Sequence, residues 1–234
     1  MKTKISEKEE AVLGAAQAAL AVIKEKPDAV LALSAGEDEL AVYRTLSRLA
    51  RKEGVSLKKL RLFAACELEG LPDGDARSAR LRLRDSLFAD SADESPLVAA
   101  PDSADCAGYD RAIAEAGGLD LAILGLGANS RVAFNEPATQ YDTYTHVQKL
   151  TKTTRTALAP LFGSEEEAPA RGVTLGFQNL CAAREILVIA CGEEKKRAVF
   201  HMLYGRDDSI YPAAFLQLPA NVTLFADALA AADL

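Results

Sequence analysis

The sequence has no tryptophan and only two histidines and four cysteines among its 234 residues. The cysteines, Cys66, Cys106, Cys181 and Cys191, are widely separated and form no Cys-x-x-Cys pair, which argues against a zinc site and a disulfide framework. With so few histidines, a metal site would depend on carboxylates, and no motif gathers them. We therefore predict neither a metal nor any other cofactor.

The chain also lacks a block of lysine or arginine and any apolar run long enough to span a membrane. Its 27 basic and 34 acidic residues give a net charge of −7, which disfavours nucleic acid as a partner. The first ten residues turn acidic and do not open into the apolar core of a signal peptide. These features predict a cytoplasmic protein that binds neither nucleic acid nor a membrane.

Apolar residues make up 49% of the chain, which is enough for a sizeable core. Short apolar runs alternate with amphipathic segments, and this alternation is typical of a doubly wound, mainly parallel α/β sheet with helices on both faces. We predict a single α/β domain over residues 1–234. The predicted strands are 29–33, 60–65, 97–99, 119–124, 172–175, 186–190 and 222–225, and the predicted helices are 6–26, 37–52, 76–88, 104–116, 152–162 and 194–204.

Two helix starts carry the spacing of a capping box, in which a hydroxyl and a carboxylate three residues later bond each other's backbone. One is Ser6 with Glu9, and the other is Ser34 with Glu37. Ser34, Cys66 and the glycine turn at 125–130 each follow a predicted strand. Since ligands of open α/β sheets bind at the carboxyl ends of the strands, we expect these three segments to form one crevice.

Residues 119–137 run from a buried strand through a glycine turn into Phe-Asn-Glu-Pro. This segment resembles the glucosamine-6-phosphate deaminase and galactosamine-6-phosphate isomerase family, whose turn normally reads Gly-x-Gly-x-Asp-Gly-His before Phe-Asn-Glu-Pro. Further matches follow in the family's order at 150–155, 172–176, 183–188, 192–195 and 215–218. The resemblance implies the α/β fold already predicted and a crevice for a sugar phosphate.

In that family an Asp abstracts the C2 proton of the open-chain sugar during aldose–ketose isomerisation with loss of ammonia. Cys66 stands at that position here, and a thiol with an ordinary pKa of ~8.5 is mostly neutral at pH 7. Asn129 and Arg131 replace the Asp and His of the ring-opening turn, so neither can exchange a proton near pH 7. Glu136 alone remains as an acid–base candidate, and it could instead pair with Arg131 or support the loop.

The resemblance also implies a phosphate site. The residues expected to bind the ligand are Ser34, Gly36, Gly125, Gly127 and Lys195. The family's phosphate turn corresponds to 34–39, where Glu37, Asp38 and Glu39 suit a helix N-terminus but would repel a dianionic phosphate. Lys195 matches the family's phosphate lysine, although a lysine in the first turn of a helix is equally typical of a solvated surface.

Three functions follow from these residues. The first is a hexosamine-6-phosphate deaminase or isomerase, and the second is a catalytically silent paralogue that binds a sugar or an anionic ligand in the same crevice. In the third, Arg131 holds a carboxylate and Cys66 acts as a nucleophile or weak acid. The 6-phosphogluconolactonase branch fits less well, because its loop does not normally read Phe-Asn-Glu-Pro. The expected partners are a small sugar phosphate or other anion and, in a homo-oligomer, further copies of the chain.

Overall fold

The computed structural model describes residues 1–88, 96, 98–206 and 209–234. These residues form a layered α/β structure with two sheets. The strands are β1 (Lys2–Ser6), β2 (Val30–Leu33), β3 (Arg61–Ala64), β4 (Cys66–Leu68), β5 (Val98–Ala99), β6 (Leu121–Gly125), β7 (His146–Lys149), β8 (Arg171–Thr174), β9 (Glu185–Ala190) and β10 (Val222–Asp227). The helices are α1 (Lys8–Glu25), α2 (Glu37–Lys52), α3 (Ala79–Phe88), α4 (Cys106–Glu115), α5 (Lys152–Phe162), α6 (Phe177–Cys181) and α7 (Lys196–Tyr204), with 3₁₀ turns at 193–195 and 212–217.

The larger sheet has seven parallel strands in the order β1-β10-β9-β6-β2-β3-β5. Its central strands β2 and β6 are buried along their whole length, which explains their continuous apolar sequences. Helices α1, α2 and α3 pack on one face, and α4, α6 and α7 pack on the other. The predicted mainly parallel sheet with helices on both faces is confirmed.

The smaller sheet was not predicted. It is antiparallel, in the order β4-β8-β7, and its three short strands are largely polar. Cys66 opens β4 and pairs with Thr174 of β8, so its backbone is fixed by a second sheet directly after β3 ends. His146 opens β7, which was not among the predicted strands.

Both predicted capping boxes are wrong. Ser6 is the last residue of β1, where it pairs with Asp227, and Glu7 precedes α1 without a side-chain cap. At α2 the cap is Gly36, whose N–H donates to Glu39 Oε1 at 3.2 Å. In both places the serine is held by a neighbouring strand and does not cap the helix. Ser6 pairs with Asp227, and the N–H of Ser34 donates to the Ile123 carbonyl at 3.0 Å.

Two further segments differ from the predicted pattern. Residues 177–181 form α6 and 212–217 form a 3₁₀ turn, and neither was predicted. Leu97, the first residue of the predicted strand at 97–99, lies outside the described residues, and Val98–Ala99 form β5. No helix within the described ranges is long and apolar enough to cross a membrane.

Candidate functional site

A crevice of about 1020 Å³ opens where β2, β6 and β9 end. Eight of the nine predicted site residues line it, namely Ser34, Gly36, Cys66, Gly125, Gly127, Asn129, Arg131 and Lys195. Glu136 is not among the lining residues, because it is buried behind Asn129. Helices α2, α3 and α5 supply much of the remaining wall.

The crevice has two chemically different ends. We call the first the Lys195 end, and it consists of Lys8, Ser34, Asp38, Glu39 and Lys195. We call the second the Cys66 end, and it consists of Cys66, Asn129 and Arg131, with Glu136 behind them.

Asp38 is the centre of the Lys195 end. Its side chain is only 6% exposed and forms ion pairs with Lys195 and, at 3.2 Å, with Lys8. The N–H of Cys191, the residue after β9, also donates to Asp38 Oδ2 at 3.2 Å. Burial alone would raise the pKa of Asp38, but the two ammonium groups outweigh burial and hold this pKa below its ordinary value.

Glu39 forms the floor between the two strands β2 and β6. Its carboxylate lies against Gly125 so closely that a Cβ at position 125 would be 2.3 Å from Glu39 Oε1. A side chain at position 125 would therefore require the Glu39 carboxylate to move. Burial raises the pKa of Glu39, and the charge of Lys195 offsets this effect only in part.

Ser34 lies on the wall beside this floor and is 4% exposed. Its carbonyl accepts a hydrogen bond from the Tyr43 hydroxyl at 2.8 Å, which fixes the backbone at the end of β2. Its own hydroxyl has no hydrogen-bond partner among the residues that the structure describes. A buried hydroxyl without a partner is costly in a folded protein, so its presence at the crevice wall needs a reason.

Cys66 is buried at the other end, with 7% of its surface exposed. Burial raises the pKa of its thiol to about 12, and the Arg131 guanidinium lowers that value only in part. Arg131 is therefore near enough to influence Cys66, but not enough to make it a thiolate at pH 7. The hypothesis of a reactive Cys66 finds no support in this environment.

Arg131 lies across the glycine turn. A Cβ on Gly127 would be 2.5 Å from Arg131 Cγ, and the Arg131 Nη1 donates to the Ala133 carbonyl at 2.6 Å. No carboxylate lies within ion-pair distance of Arg131 in the described part of the chain. Ser130 beside it has φ +68°, a conformation that favours glycine.

Glu136 supports the turn from behind and is 1% exposed. Its carboxylate accepts hydrogen bonds from Asn129 Nδ2 at 2.6 Å, from the Thr151 N–H at 3.2 Å and from the Thr151 hydroxyl at 3.1 Å. The expected alternative of an ion pair with Arg131 is wrong, whereas support of the loop agrees with these contacts. Thr151, the N-cap of α5, was missed as a partner because only its place in a family motif signalled it.

The comparisons with known proteins agree with the resemblance seen in the sequence. The family model for glucosamine-6-phosphate isomerases/6-phosphogluconolactonase matches residues 6–225. A glucosamine-6-phosphate deaminase of Bacillus velezensis is 35% identical over 215 residues, which are 89% of each chain. Another, of Mycolicibacterium smegmatis, is 37% identical over 225 residues, or 93% of this chain and 86% of the relative. The chain belongs to this glucosamine-6-phosphate isomerase/6-phosphogluconolactonase family.

One solved structure agrees with this family, and a second shares the fold. A monomeric glucosamine-6-phosphate deaminase superposes on all of both chains with a TM-score of 0.95 at 32% identity. A 6-phosphogluconolactonase of Trypanosoma brucei superposes with a TM-score of 0.74 at 22% identity, covering 100% of this chain and 99% of that one. At that lower identity the second likeness shows the shared fold alone.

The residues expected from the resemblance either differ from its pattern or are already paired. The segment compared with its Asp-Gly-His turn is Asn129-Ser130-Arg131, and Ser130 has a φ of +68°. At the other end, Lys195, which the resemblance predicts to bind phosphate, is paired with Asp38. The described residues contain no group of three His, Cys, Asp or Glu side chains that could hold a metal ion.

Proposed function

We propose that the crevice binds an amino sugar, within amino-sugar metabolism, and that the chain does not carry out the C2 proton transfer of aldose–ketose isomerisation. Membership of the family and the names of its 35% and 37% identical relatives support the sugar. The residues at the Cys66 end support the loss of proton transfer.

The observation that carries this proposal is the environment of Cys66. A general base for a carbon acid must be ionisable near the working pH and open to its substrate. Cys66 stands where the family has its Asp base, and burial raises the pKa of its thiol to about 12. The neutral thiol cannot accept the C2 proton.

The other two positions of the Cys66 end lead to the same conclusion. Arg131 is a permanent cation that can donate hydrogen bonds but cannot accept a proton. Glu136 lies behind Asn129, with its oxygens occupied by Asn129 and Thr151, so no proton donor of the ligand can reach it directly. What these residues still offer a sugar is a set of hydrogen-bond donors for its hydroxyl and ring oxygens.

A second candidate is the deamination for which the relatives are named. The observation that favours it is the unchanged Phe-Asn-Glu-Pro sequence at 134–137, whose Asn135 donates to the Val132 and Leu175 carbonyls and holds the loop in place. This candidate requires a base other than Cys66, and the loop alone does not supply one that lines the crevice.

Proton NMR in D₂O distinguishes the two candidates. Glucosamine and glucosamine 6-phosphate are each mixed with the purified protein, and line broadening, exchange of the C2 proton and ketose formation are followed together. We expect broadening of the sugar signals without exchange and without ketose. Exchange or ketose formation that is lost in Glu136→Gln would instead establish the second candidate.

A variant pair tests whether binding takes place in the crevice. Arg131→Gln should abolish the broadening, because it removes the guanidinium donors from the crevice wall. Arg111→Gln is the matched control, since this side chain is 66% exposed on α4, outside the crevice lining. Absence of broadening by the unmodified protein with both sugars, or equal loss in both variants, would overturn the proposed binding site.

A further inference from the structure

The Lys195 end is occupied by the chain's own carboxylate. We propose that Asp38 takes the place of a ligand phosphate there, so that the crevice selects unphosphorylated amino sugars over their 6-phosphates. This inference rests on the proposed function, which supplies the amino sugar, and it adds the class of sugar that is accepted.

The contacts of Asp38 are those that a bound phosphate oxygen would make. Asp38 Oδ2 accepts from the Lys195 ammonium and from the N–H of Cys191, and Oδ1 pairs with Lys8. Two cations and a backbone N–H at a strand end are a typical anion site of an α/β protein. Here the anion is covalently part of α2, and it is only 6% exposed.

Each described cation of this end, and the neighbouring Arg82, already has a carboxylate partner. Lys8 and Lys195 both pair with Asp38, and the guanidinium of Arg82 donates to the Ala35 carbonyl and pairs with Glu37. The buried Glu39 lies beneath. A dianionic phosphate would have to displace Asp38 or lie against its charge, whereas a hydroxymethyl group would carry no such penalty.

The buried hydroxyl of Ser34, which lacks a hydrogen-bond partner among the described residues, is independent support for a ligand. Ser34 lines the crevice and is 4% exposed, and its hydroxyl oxygen is buried without a partner among the described residues. A hydroxyl both donates and accepts, so its complement is a neutral sugar hydroxyl. The Lys195 end therefore has a buried carboxylate held by two ammonium groups, next to a buried hydroxyl suited to an unphosphorylated sugar.

The matched ligands glucosamine and glucosamine 6-phosphate differ only in the phosphate, and their affinities can be compared by titration calorimetry with the unmodified protein. We expect glucosamine to bind at least tenfold more tightly than its 6-phosphate. Tighter binding of the 6-phosphate would overturn the inference, because Asp38 would then have moved aside for the phosphate.

The Asp38→Asn variant tests whether Asp38 causes the preference for the unphosphorylated sugar. This change keeps the shape but frees the two ammonium groups, so the affinity for glucosamine 6-phosphate should rise at least tenfold and inorganic phosphate should begin to bind. Glu37→Gln is the matched control, with the same loss of charge one residue away on a side chain that is 75% exposed. The control should keep the preference of the unmodified protein.

Ser34→Ala supplies a readout that does not depend on Asp38. Loss of the hydroxyl should weaken glucosamine about tenfold without lowering the melting temperature, because no protein contact among the described residues is lost. Unchanged glucosamine affinity would remove this support and contradict a ligand at the Lys195 end.

Inorganic phosphate separates failure of this inference from failure of the proposed function. If the unmodified protein binds neither sugar, the proposed function fails, yet phosphate binding gained only by Asp38→Asn still supports Asp38 as the internal anion. If the unmodified protein binds phosphate as tightly as the variant, the inference fails whatever the sugars do.

Discussion

The two ends of the crevice differ in how their charges are paired. At the Lys195 end one buried carboxylate of the chain pairs with two ammonium groups. At the Cys66 end there are a neutral thiol, an amide and a guanidinium without a carboxylate partner in the described residues. The first end holds an anion of the chain itself, whereas the second offers hydrogen-bond donors.

At the Cys66 end, the residue that supports the shape of the crevice differs from the residues that line it. Glu136 lies behind the lining and joins the glycine turn to the start of α5. A crevice can keep its shape and donors when its acid–base groups are replaced, because shape depends on buried contacts and proton transfer depends on pKa.

The largest expected effect concerns the reactivity of Cys66. Because burial raises the pKa of its thiol from 9.0 to about 12, the thiolate at pH 8 is about 1000-fold scarcer than for an unperturbed thiol. In the folded protein, iodoacetamide should therefore label the partly exposed Cys106 long before Cys66, as peptide mapping by mass spectrometry can follow. Fast labelling of Cys66 would mean that the Cys66 end does hold a nucleophile.

The next effect is on stability at the same end. Glu136→Ala leaves Asn129 and the Thr151 N–H without their buried acceptor, so the free energy of unfolding should fall by about 3 kcal/mol. Urea unfolding measures the change. Glu167→Ala is the control, because this exposed carboxylate should contribute less than about 0.5 kcal/mol. An equal loss of unfolding free energy in both variants would contradict the framework role of Glu136.

Acid should affect the Lys195 end in particular. Because the folded-state pKa of Asp38 is below its ordinary value, its ion pairs stabilise the protein above about pH 4 and are lost as the pH falls through the folded-state value. Asp38→Asn should therefore cost about 1 to 2 kcal/mol at pH 7, and this gap should narrow as the pH falls through the folded-state value. Asp28→Asn, in an exposed turn, should show no such convergence when urea unfolding is repeated at decreasing pH.

The smallest expected effect is a gain in stability. Ser130 has φ +68° and a buried hydroxyl that lacks a partner in the described residues, so Ser130→Gly should stabilise the protein by about 1 kcal/mol in thermal unfolding. Ser130→Ala keeps the strained backbone and removes only the hydroxyl. A gain as large in the alanine variant would assign the effect to the hydroxyl and leave no role for strain.

The central strands of the parallel sheet were predictable because they are apolar throughout. Val30–Leu33 and Leu121–Gly125 are buried on both faces, and such strands stand out in any sequence. The missed strands are different. Lys2–Ser6 is a mostly exposed edge strand, and His146–Lys149 is polar, so their pairing partners are what make them strands. The prediction of a single domain over 1–234 stays a prediction.

Strand ends and motifs were enough to predict which segments line the site, but not the long-range contacts within it. Sequence placed Ser34, Cys66 and the glycine turn at strand ends, and the structure brings all three to one crevice. It could not reveal that Asp38 pairs with Lys195, 157 residues away, because no local pattern encodes that contact. Nor could it reveal that Glu136 faces Thr151 rather than Arg131.

The close contact between Glu39 and Gly125 also makes mutations at these two positions interdependent. A Cβ at position 125 would lie too close to the Glu39 carboxylate, so a side chain there requires this carboxylate to move or a smaller residue at position 39. Substitutions at the two positions should therefore not have additive effects, and the cost of changing Gly125 should fall when Glu39 is replaced by a smaller residue.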